Sequence, residues 1–381
     1  MKYDSEYELV NSLSTNKNRK KIRVGLIGIG NCASMLVQGV YYYKRMAQTN
    51  GLITPIIGKY GVEDIEFVAA FDVSKNKVGK TLNEAIFEEP NLIKPITKIP
   101  ISKTIVSSGP IYDGVAKHMF NKFKPVPNAT IEDVISVLKK KRVEILINLL
   151  PVGSQKATES YVDAALAANC AFINAIPVFI ASDPNGRYQK LFRDAGLPLI
   201  GDDMKGQLGA TILHRNLVAL CKNRGITINN TYQLNIGGNS DFMNMRYESR
   251  LKYKRISKTD AVKSVVTKYQ DLNNKDIRIG PSDYVEFLGN NKIAYLHING
   301  KGFASQPVNI EVKLEVEDKM NSSAVLVDVI RATKLVLDNH ESGPINWISA
   351  FYFKHPYKQA NDDVEAFNWF NEHIKKYNSS C

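Results

Sequence analysis

Cysteine is scarce and dispersed: Cys32, Cys170, Cys221 and Cys381 stand far apart with no Cys-x-x-Cys pair. That excludes a disulfide framework and a zinc knuckle and leaves reduced thiols as the expectation. Long apolar runs are also missing. The longest, Val143 to Val152, falls well short of the roughly 20 residues of a membrane helix and is broken by Pro151. The N-terminal MKYDSEYELVNSLSTNKNRKK is polar and mixed in charge, without the apolar stretch or cleavage site of a secretory signal, so a cytoplasmic protein is expected. Histidines are few and scattered, and no dense His/Cys/Asp cluster stands out, so metal dependence is not readable. Neither a helix-turn-helix nor an aromatic-stacking module is found, which argues against a nucleic-acid binder.

At 381 residues, the chain is long enough for two domains, and its 44% hydrophobic and 23% charged residues are those of an ordinary globular protein. The net charge of +12 suits nucleic acid, an anionic membrane surface or a phosphorylated small substrate, and charge alone does not choose among them. The short basic runs, Asn16 to Lys21 and Lys139 to Arg142, read first as a tail and a solvated helix end.

Residues Ile22 to Gly30 form a β-branched run that ends in glycines, and a helix is expected from Asn31 to Met46. Further buried strands are expected at IEFVAAFD, ending on Asp72, and at VEILINLL, from Val143 to Leu150. The second follows a helix opened by Thr130 with Asp133 three residues on. Helix and strand alternate to Gly201, which predicts a parallel, helix-covered sheet. Beyond a helix at about Lys205 to Lys222, alternating strands such as KIAYLHING and VNIEVKLEVED predict an α+β part, and helices return from Asn321. The fold class is therefore α/β: a Rossmann-type parallel sheet domain plus an α+β catalytic and oligomerisation domain. The expected division is a polar tail at 1–20, a dinucleotide-binding unit at 21–201 and 318–381, and the α+β unit at 202–317.

The turn GLIGIGNCA supplies G-x-G-x-x-A through Gly28, Gly30 and Ala33, between a strand and a helix. Such glycines let the backbone approach a pyrophosphate lying on free helix amides, with Asn31 and Cys32 beside it. Asp72 ends the next strand, where a carboxylate accepts from the adenosine ribose and repels a 2′-phosphate, favouring NAD over NADP. The alternative is that Asp72 only caps a turn. Its gap from the glycines is long, so TNGLITPIIGKYGVED must be an insertion. Tyr161 is a weaker cofactor candidate on the same sheet edge.

Several longer words then point one way: GNCASMLVQG, NLLPVGSQ, NAIPVFIASDP, GDDMKGQLGAT, NIGGNSDFMNM and RLKYKRISKTDAV. From about Arg23 to Lys354 the chain resembles the inositol-1-phosphate synthase family, in particular its shorter archaeal and bacterial branch. That resemblance implies NAD as a temporary hydride acceptor. Glucose 6-phosphate is oxidised at C5, closes by an intramolecular aldol step and is re-reduced to 1D-myo-inositol 3-phosphate, the first step of inositol biosynthesis. A related sugar-phosphate cyclase or a dehydrogenase with net NAD turnover is the alternative.

The resemblance places Lys254 on the sugar oxygens, Lys258 on the phosphate, Lys292 beside the reacting oxygens and Lys354 at the C5 hydroxyl proton. Asp203 matches an acid near the nicotinamide and Asp328 another acid lining the site. The GDDMKGQ turn, with Lys205, Gly206 and Gln207, would hold phosphate, and Asn235, Asn239 and Asp241 would hold sugar hydroxyls or the nicotinamide end. Capping is the alternative for Asp202 and Asp203. A homotetramer is implied, and a divalent metal ion is compatible with some relatives. The chain departs from the family at Gly206 and Tyr253, where serines are usual.

Overall fold

The computed structural model describes residues 20–46, 49–126, 129–266 and 272–379, so the expected tail lies almost wholly outside the described residues. The runs read as buried strands form β1 (Ile22–Ile27), β2 (Ile65–Asp72), β4 (Ile145–Asn148), β5 (Ala171–Asn174) and β6 (Pro198–Ile200). Helices cover both faces of this sheet, which is why its strands are continuously rather than alternately apolar. Two short strands, β3 (Val106–Ser108) and β11 (Gly343–Pro344), complete a sheet of order β11-β6-β5-β4-β1-β2-β3. All its pairings are parallel. The strand order reverses between β1 and β4, and a crevice opens at their carboxyl ends, the usual ligand position in such sheets.

The covering helices include α1 (Asn31–Tyr43), α2 (Ile131–Lys140), α3 (Gln155–Ala167) and α4 (Arg187–Asp194). The capping box at α2 forms as read: the Asp133 amide donates to Thr130 Oγ1 at 3.2 Å, and the Thr130 amide donates to the Asp133 carboxylate at 2.9 Å. The first helix ends at Tyr43, three residues before the expected Met46.

In the second sheet, β7 (Thr227–Gly237), β8 (Ile277–Tyr284), β9 (Asn291–Lys301) and β10 (Pro307–Glu317) lie in the order β10-β9-β7-β8. One face packs under α5 (Ala210–Asn223) and α6 (Glu248–Val266) through Val218, Val262, Val265, Ile279 and Ile298. The other carries exposed Tyr232, Leu234 and Tyr295, which produces the alternation seen in the sequence. The expected helix start at Lys205 is wrong by a turn or more: residues 201–209 remain irregular, and α5 begins at Ala210 behind a Gly209 N-cap.

The 21-residue α7 (Asp318–Asp338) runs from the end of β10 into the first sheet's core. Midway along it, Asp328 and Arg331 are buried as a pair rather than facing a ligand. Arg331 binds Asp328 and donates to the Pro55 and Thr54 carbonyls at 2.6 and 2.7 Å, while Asp328 also accepts from the Tyr352 hydroxyl at 2.8 Å. The expected insertion before β2 is thus pinned to α7. Asp328 is spent here and lies outside the cavity described below, which corrects its assignment to substrate. The chain finishes with α8 (Asn346–Tyr352) and α9 (Asp363–Ser379).

Asp328 and Arg331 are both fully buried, so Asp328→Ala leaves an uncompensated guanidinium. A loss of about 3–5 kcal/mol is expected in chemical denaturation. A loss below about 1 kcal/mol, with impaired substrate binding instead, would return Asp328 to the site.

Candidate active site

One continuous cavity runs along the carboxyl edge, from the glycine turn to the lysines of α6. At its first end, Gly28 has φ +85°, and a Cβ there would stand 2.9 Å from the Leu149 carbonyl, so the β1–α1 turn touches the β4–α3 turn. Nothing lies within 4 Å of where a Gly30 Cβ would be, leaving the backbone open to a ligand. Asn31, Cys32, Asp72 and Tyr161 line the same end. The Asp72 carboxylate accepts from the amides of Ile29, Val73 and Ser74 at 2.7, 2.8 and 2.8 Å. Both readings of Asp72 therefore meet: it caps the turn and borders the cavity. Burial pushes the Cys32 thiol up to about 11, against the pull of Lys319, so it stays protonated. These residues fit the adenosine and pyrophosphate of a dinucleotide.

At the other end, Asp203 is the hub. Its backbone has φ 59°, uncommon for a side-chain-bearing residue, and is held by pairing with the segment after α8. Lys354 N donates to Asp203 O at 2.8 Å, and Lys205 N to Tyr352 O at 2.8 Å. One carboxylate oxygen binds both Lys254 and Lys354, at 2.8 and 2.9 Å, while the other accepts from Ser257 at 2.8 Å. Burial pulls against its ionisation, but the two ammonium groups outweigh it and hold Asp203 well below the usual carboxylate range. Lys354 is lowered to about 7, by burial first and by Lys254 and Lys292 further, against the stabilising Asp203. Lys254, opposed by burial but closer to net negative charge, is raised.

Lys258 lies one turn after Lys254 on α6. It is buried and lines the cavity, and among the described residues no carboxylate stands within ion-pair distance. Burial, then Lys292, Lys254 and Lys354, depress its pKa well below the ordinary lysine value. Lys292, at the start of β9, pairs with Asp318 at 3.0 Å. The amide end of α5, Gly209 to Thr211, faces the same space.

The structure therefore gathers Lys254, Lys258, Lys292, Lys354, Asp203, Asp241 and Gly206 around one cavity. Other expected site residues have partners within the protein. The Lys205 ammonium binds Asp363 and the Ala350 carbonyl, both at 2.9 Å, beside Arg215, tying α9 to α5. Gln207 is exposed and donates to the Gly51 carbonyl at 2.9 Å. Asn235 is buried in the second sheet on the Gly280 carbonyl at 2.7 Å. Asn239 caps the short helix Ser240–Asn244. None of the last three borders the cavity; Lys205 does, with its ammonium paired to Asp363. Asp202 accepts from Asn174, from the amides of residues 180–182 and from the Ser182 hydroxyl. Burial raises it to about 6 against those hydrogen bonds, and it anchors the loop rather than capping a helix.

Missed in the sequence are Asp318 and Lys319, which continue the network: Lys319 binds Asp241 and reaches Asp318 at 3.3 Å. Their signal was an acid–lysine pair at a strand-to-helix junction, the same setting as the glycine turn. Among the described residues no three His, Cys, Asp or Glu side chains converge on a metal position. The site's acids are instead held by lysines, so the donor set does not fit the divalent ion that the resemblance allowed. No helix among the described residues is long and apolar enough to cross a membrane.

Fold and cavity together define a Rossmann-type enzyme with a strongly cationic pocket. Within that class the chain belongs to the myo-inositol-1-phosphate synthase family, whose model matches residues 209–319. It is 46% identical to inositol-3-phosphate synthase of Mycolicibacterium smegmatis, covering 90% of this chain and 95% of that protein. Inositol-3-phosphate synthase of Corynebacterium glutamicum is 44% identical over 90% of this chain and 95% of its own length. The crystal structure of a myo-inositol-1-phosphate synthase-related protein from Thermotoga maritima, 23% identical, shares the fold at a TM-score of 0.78, over 93% of this chain and 98% of that one.

An unpaired buried cation burdens the fold. Lys258→Met is expected to stabilise the ligand-free protein by on the order of 1 kcal/mol while abolishing its thermal stabilisation by inorganic phosphate. Phosphate stabilisation unchanged in the variant would remove Lys258 from the anion site.

Proposed function

We propose that this chain converts D-glucose 6-phosphate to 1D-myo-inositol 3-phosphate with NAD as a catalytic cofactor, opening inositol biosynthesis in the cytoplasm. The observation that carries the reading is Lys258: a buried ammonium without a carboxylate, among three other lysines, in the cavity that begins at the glycine turn. A dianionic substrate group supplies the missing negative charge. NAD bound there would supply a reversible hydride acceptor for C5 of the sugar phosphate. Gly28, Gly30, Asn31, Cys32, Asp72 and Tyr161 would hold it along the crevice.

The residues divide the work by charge. Lys258 and the amides of Gly209 to Thr211 bind the phosphate. Lys354, lowered to about 7, exists partly as the free amine near neutrality and takes the C5 hydroxyl proton. Lys254 and Lys292 stabilise the oxygens on which negative charge grows as the C6 carbanion equivalent forms and attacks the C1 aldehyde. Asp203 keeps Lys254 and Lys354 at a fixed separation, and Asp318 does the same for Lys292. Residues 21–201 with 318–381 would serve the dinucleotide and supply Lys354, and 202–317 would bring up Lys254, Lys258, Lys292 and the oligomer interface.

Purified protein given glucose 6-phosphate and catalytic NAD should accumulate inositol phosphate over many turnovers without accumulating reduced dinucleotide. Deuterium at C5 should reappear in the cyclic product. Lys254→Met, Lys292→Met and Lys354→Met should each lower turnover by roughly 10²-fold or more. In the parent protein kcat/KM should fall as pH drops below about 7, because Lys354 must be unprotonated to receive the proton. Stoichiometric reduced dinucleotide with an open-chain keto sugar would overturn the reading in favour of a dehydrogenase.

The open face of the second sheet, with Tyr232, Leu234 and Tyr295 exposed, is where we place a homotetramer contact. Light scattering should give four chain masses, and Leu234→Lys with Tyr295→Lys should lower that number. A parent protein that runs as a monomer at micromolar concentration would refute it.

A further inference from the structure

Six lysines are buried in the described residues: Lys77, Lys205, Lys258, Lys319, Lys334 and Lys354. Four have carboxylate partners: Asp363 for Lys205, Asp241 and Asp318 for Lys319, Glu144 and Asp338 for Lys334, and Asp203 for Lys354. Lys77 and Lys258 have none within ion-pair distance, and both line the same cavity, one at each end. Lys258 belongs to the reaction already described. Lys77 does not, and no step above uses it.

Lys77 is 1% exposed, and its ammonium donates to the Ile29 carbonyl and to Asn91 Oδ1, both at 2.8 Å. Both acceptors are neutral. An ammonium carries three protons, so one remains after these two bonds. Ile29 is the residue between Gly28 and Gly30, which places the charge directly behind the dinucleotide turn. Asp72 is near enough to favour the charged form, but its oxygens are taken by the amides of Ile29, Val73 and Ser74. Burial pulls the Lys77 pKa down, opposed first by Asp72 and then by Glu88 on the flanking loop. Taking a cation out of water without an anion is costly, and folds accept it where a ligand completes the pair.

We propose that Lys77 is a nucleotide-phosphate ligand, its free proton directed to a phosphate oxygen of the dinucleotide. This rests on the reading that the cavity holds NAD. Two phosphate sources share the chemistry: the pyrophosphate common to all dinucleotides, and the 2′-phosphate that distinguishes NADP. Asp72 decides between them. With its carboxylate in place, a 2′-phosphate meets repulsion beside Lys77, so the ammonium serves the pyrophosphate. With Asp72 neutralised, the same ammonium is available at the ribose edge.

The test is calorimetric titration with NAD, NADP, ADP and adenosine at one salt concentration, on the parent protein, Lys77→Gln and Lys77→Arg. Glutamine retains one donor for the Ile29 carbonyl, and arginine retains the charge, so the turn keeps support in both. Lys77→Gln should weaken NAD and ADP by about ten-fold or more, the size of a lost charge-assisted hydrogen bond, while adenosine changes by less than about two-fold. Lys77→Arg should recover most of the ADP-over-adenosine preference. An equal loss for adenosine and ADP would show that Lys77 only shapes the turn, and unchanged ADP binding would show that it touches no phosphate; either overturns the proposal. A parent protein that binds none of the four defeats the NAD reading itself, a result separable from failure of the Lys77 variants alone. In Asp72→Asn, a gain in NADP affinity that disappears in Asp72→Asn with Lys77→Gln assigns the 2′-edge role. A gain that survives the second change confines Lys77 to the pyrophosphate.

Discussion

The Asp203 carboxylate shared by Lys254 and Lys354 is the contact on which the rest of the site depends. It joins three parts of the chain: the irregular segment after β6, the helix α6 and the stretch after α8. Main-chain pairing fixes two of them, through Asp202 with His355 and Asp203 with Lys354, and Ser257 on α6 donates to the second oxygen. Because one oxygen carries both ammonium groups, their separation is set by a single atom. Bringing Lys258 to the same cavity then follows from α6 geometry, since a residue one turn on shares the face.

Charge this dense would unfold a less committed structure. Asp203, Asp318 and Asp241 offset Lys254, Lys354, Lys292 and Lys319, and the sum at the substrate end still leaves a positive excess. In a dry site that excess is held by structure rather than by water, so it is already oriented when negative charge develops on a sugar oxygen. The depressed Lys354 pKa has the same origin. Neighbouring cations and burial that disfavour its proton also make it a base near neutrality. The stability given up at the site is offset elsewhere by burial of the continuously apolar first sheet and its covering helices.

What could be read from the residues divides along physical lines. The parallel sheet was legible because a strand buried on both faces has to be apolar without interruption, and the glycine turn because only glycine tolerates φ +85° against the Leu149 carbonyl. The lysines were legible only through longer words, since a single buried lysine looks in sequence like any solvated one. Asp328 was misplaced, and the pairing of Lys205 went unread, for a related reason. A charge matched to a motif is free to meet a ligand only if no nearer partner claims it; Arg331 lies three residues on in the same helix as Asp328, while Tyr352 and Asp363 lie in separate elements. Asp318 and Lys319 were missed in the opposite sense, because an acid and a lysine at the head of a helix read as ordinary end charges. The α5 start was misread because nothing local forbids helix across 205–209; what prevents it is pairing with Tyr352 and Asn321.

Asn321 also accounts for one of the two departures from the family's usual residues. A Cβ at Gly206 would stand 2.8 Å from Asn321 Nδ2, so serine there requires the amide to move. The amide is not idle: its Oδ1 accepts from Leu208 N at 2.7 Å and its Nδ2 donates to Leu208 O at 2.8 Å, while the Asn321 main-chain carbonyl accepts from Gln207 N at 2.8 Å. The turn that leads into α5 is thus shaped from α7, where a serine would have contributed a hydroxyl of its own. The polar group at this corner is supplied by a different element, and the amide end of α5 lines the cavity together with Lys258. Tyr253, the other departure, packs edge-on against Phe179 at 5.3 Å, and Phe179 stacks on His355 at 4.1 Å. That contact braces α6 against the segment carrying Lys354, so a side chain lost to polar chemistry at this position still serves the geometry that Asp203 enforces.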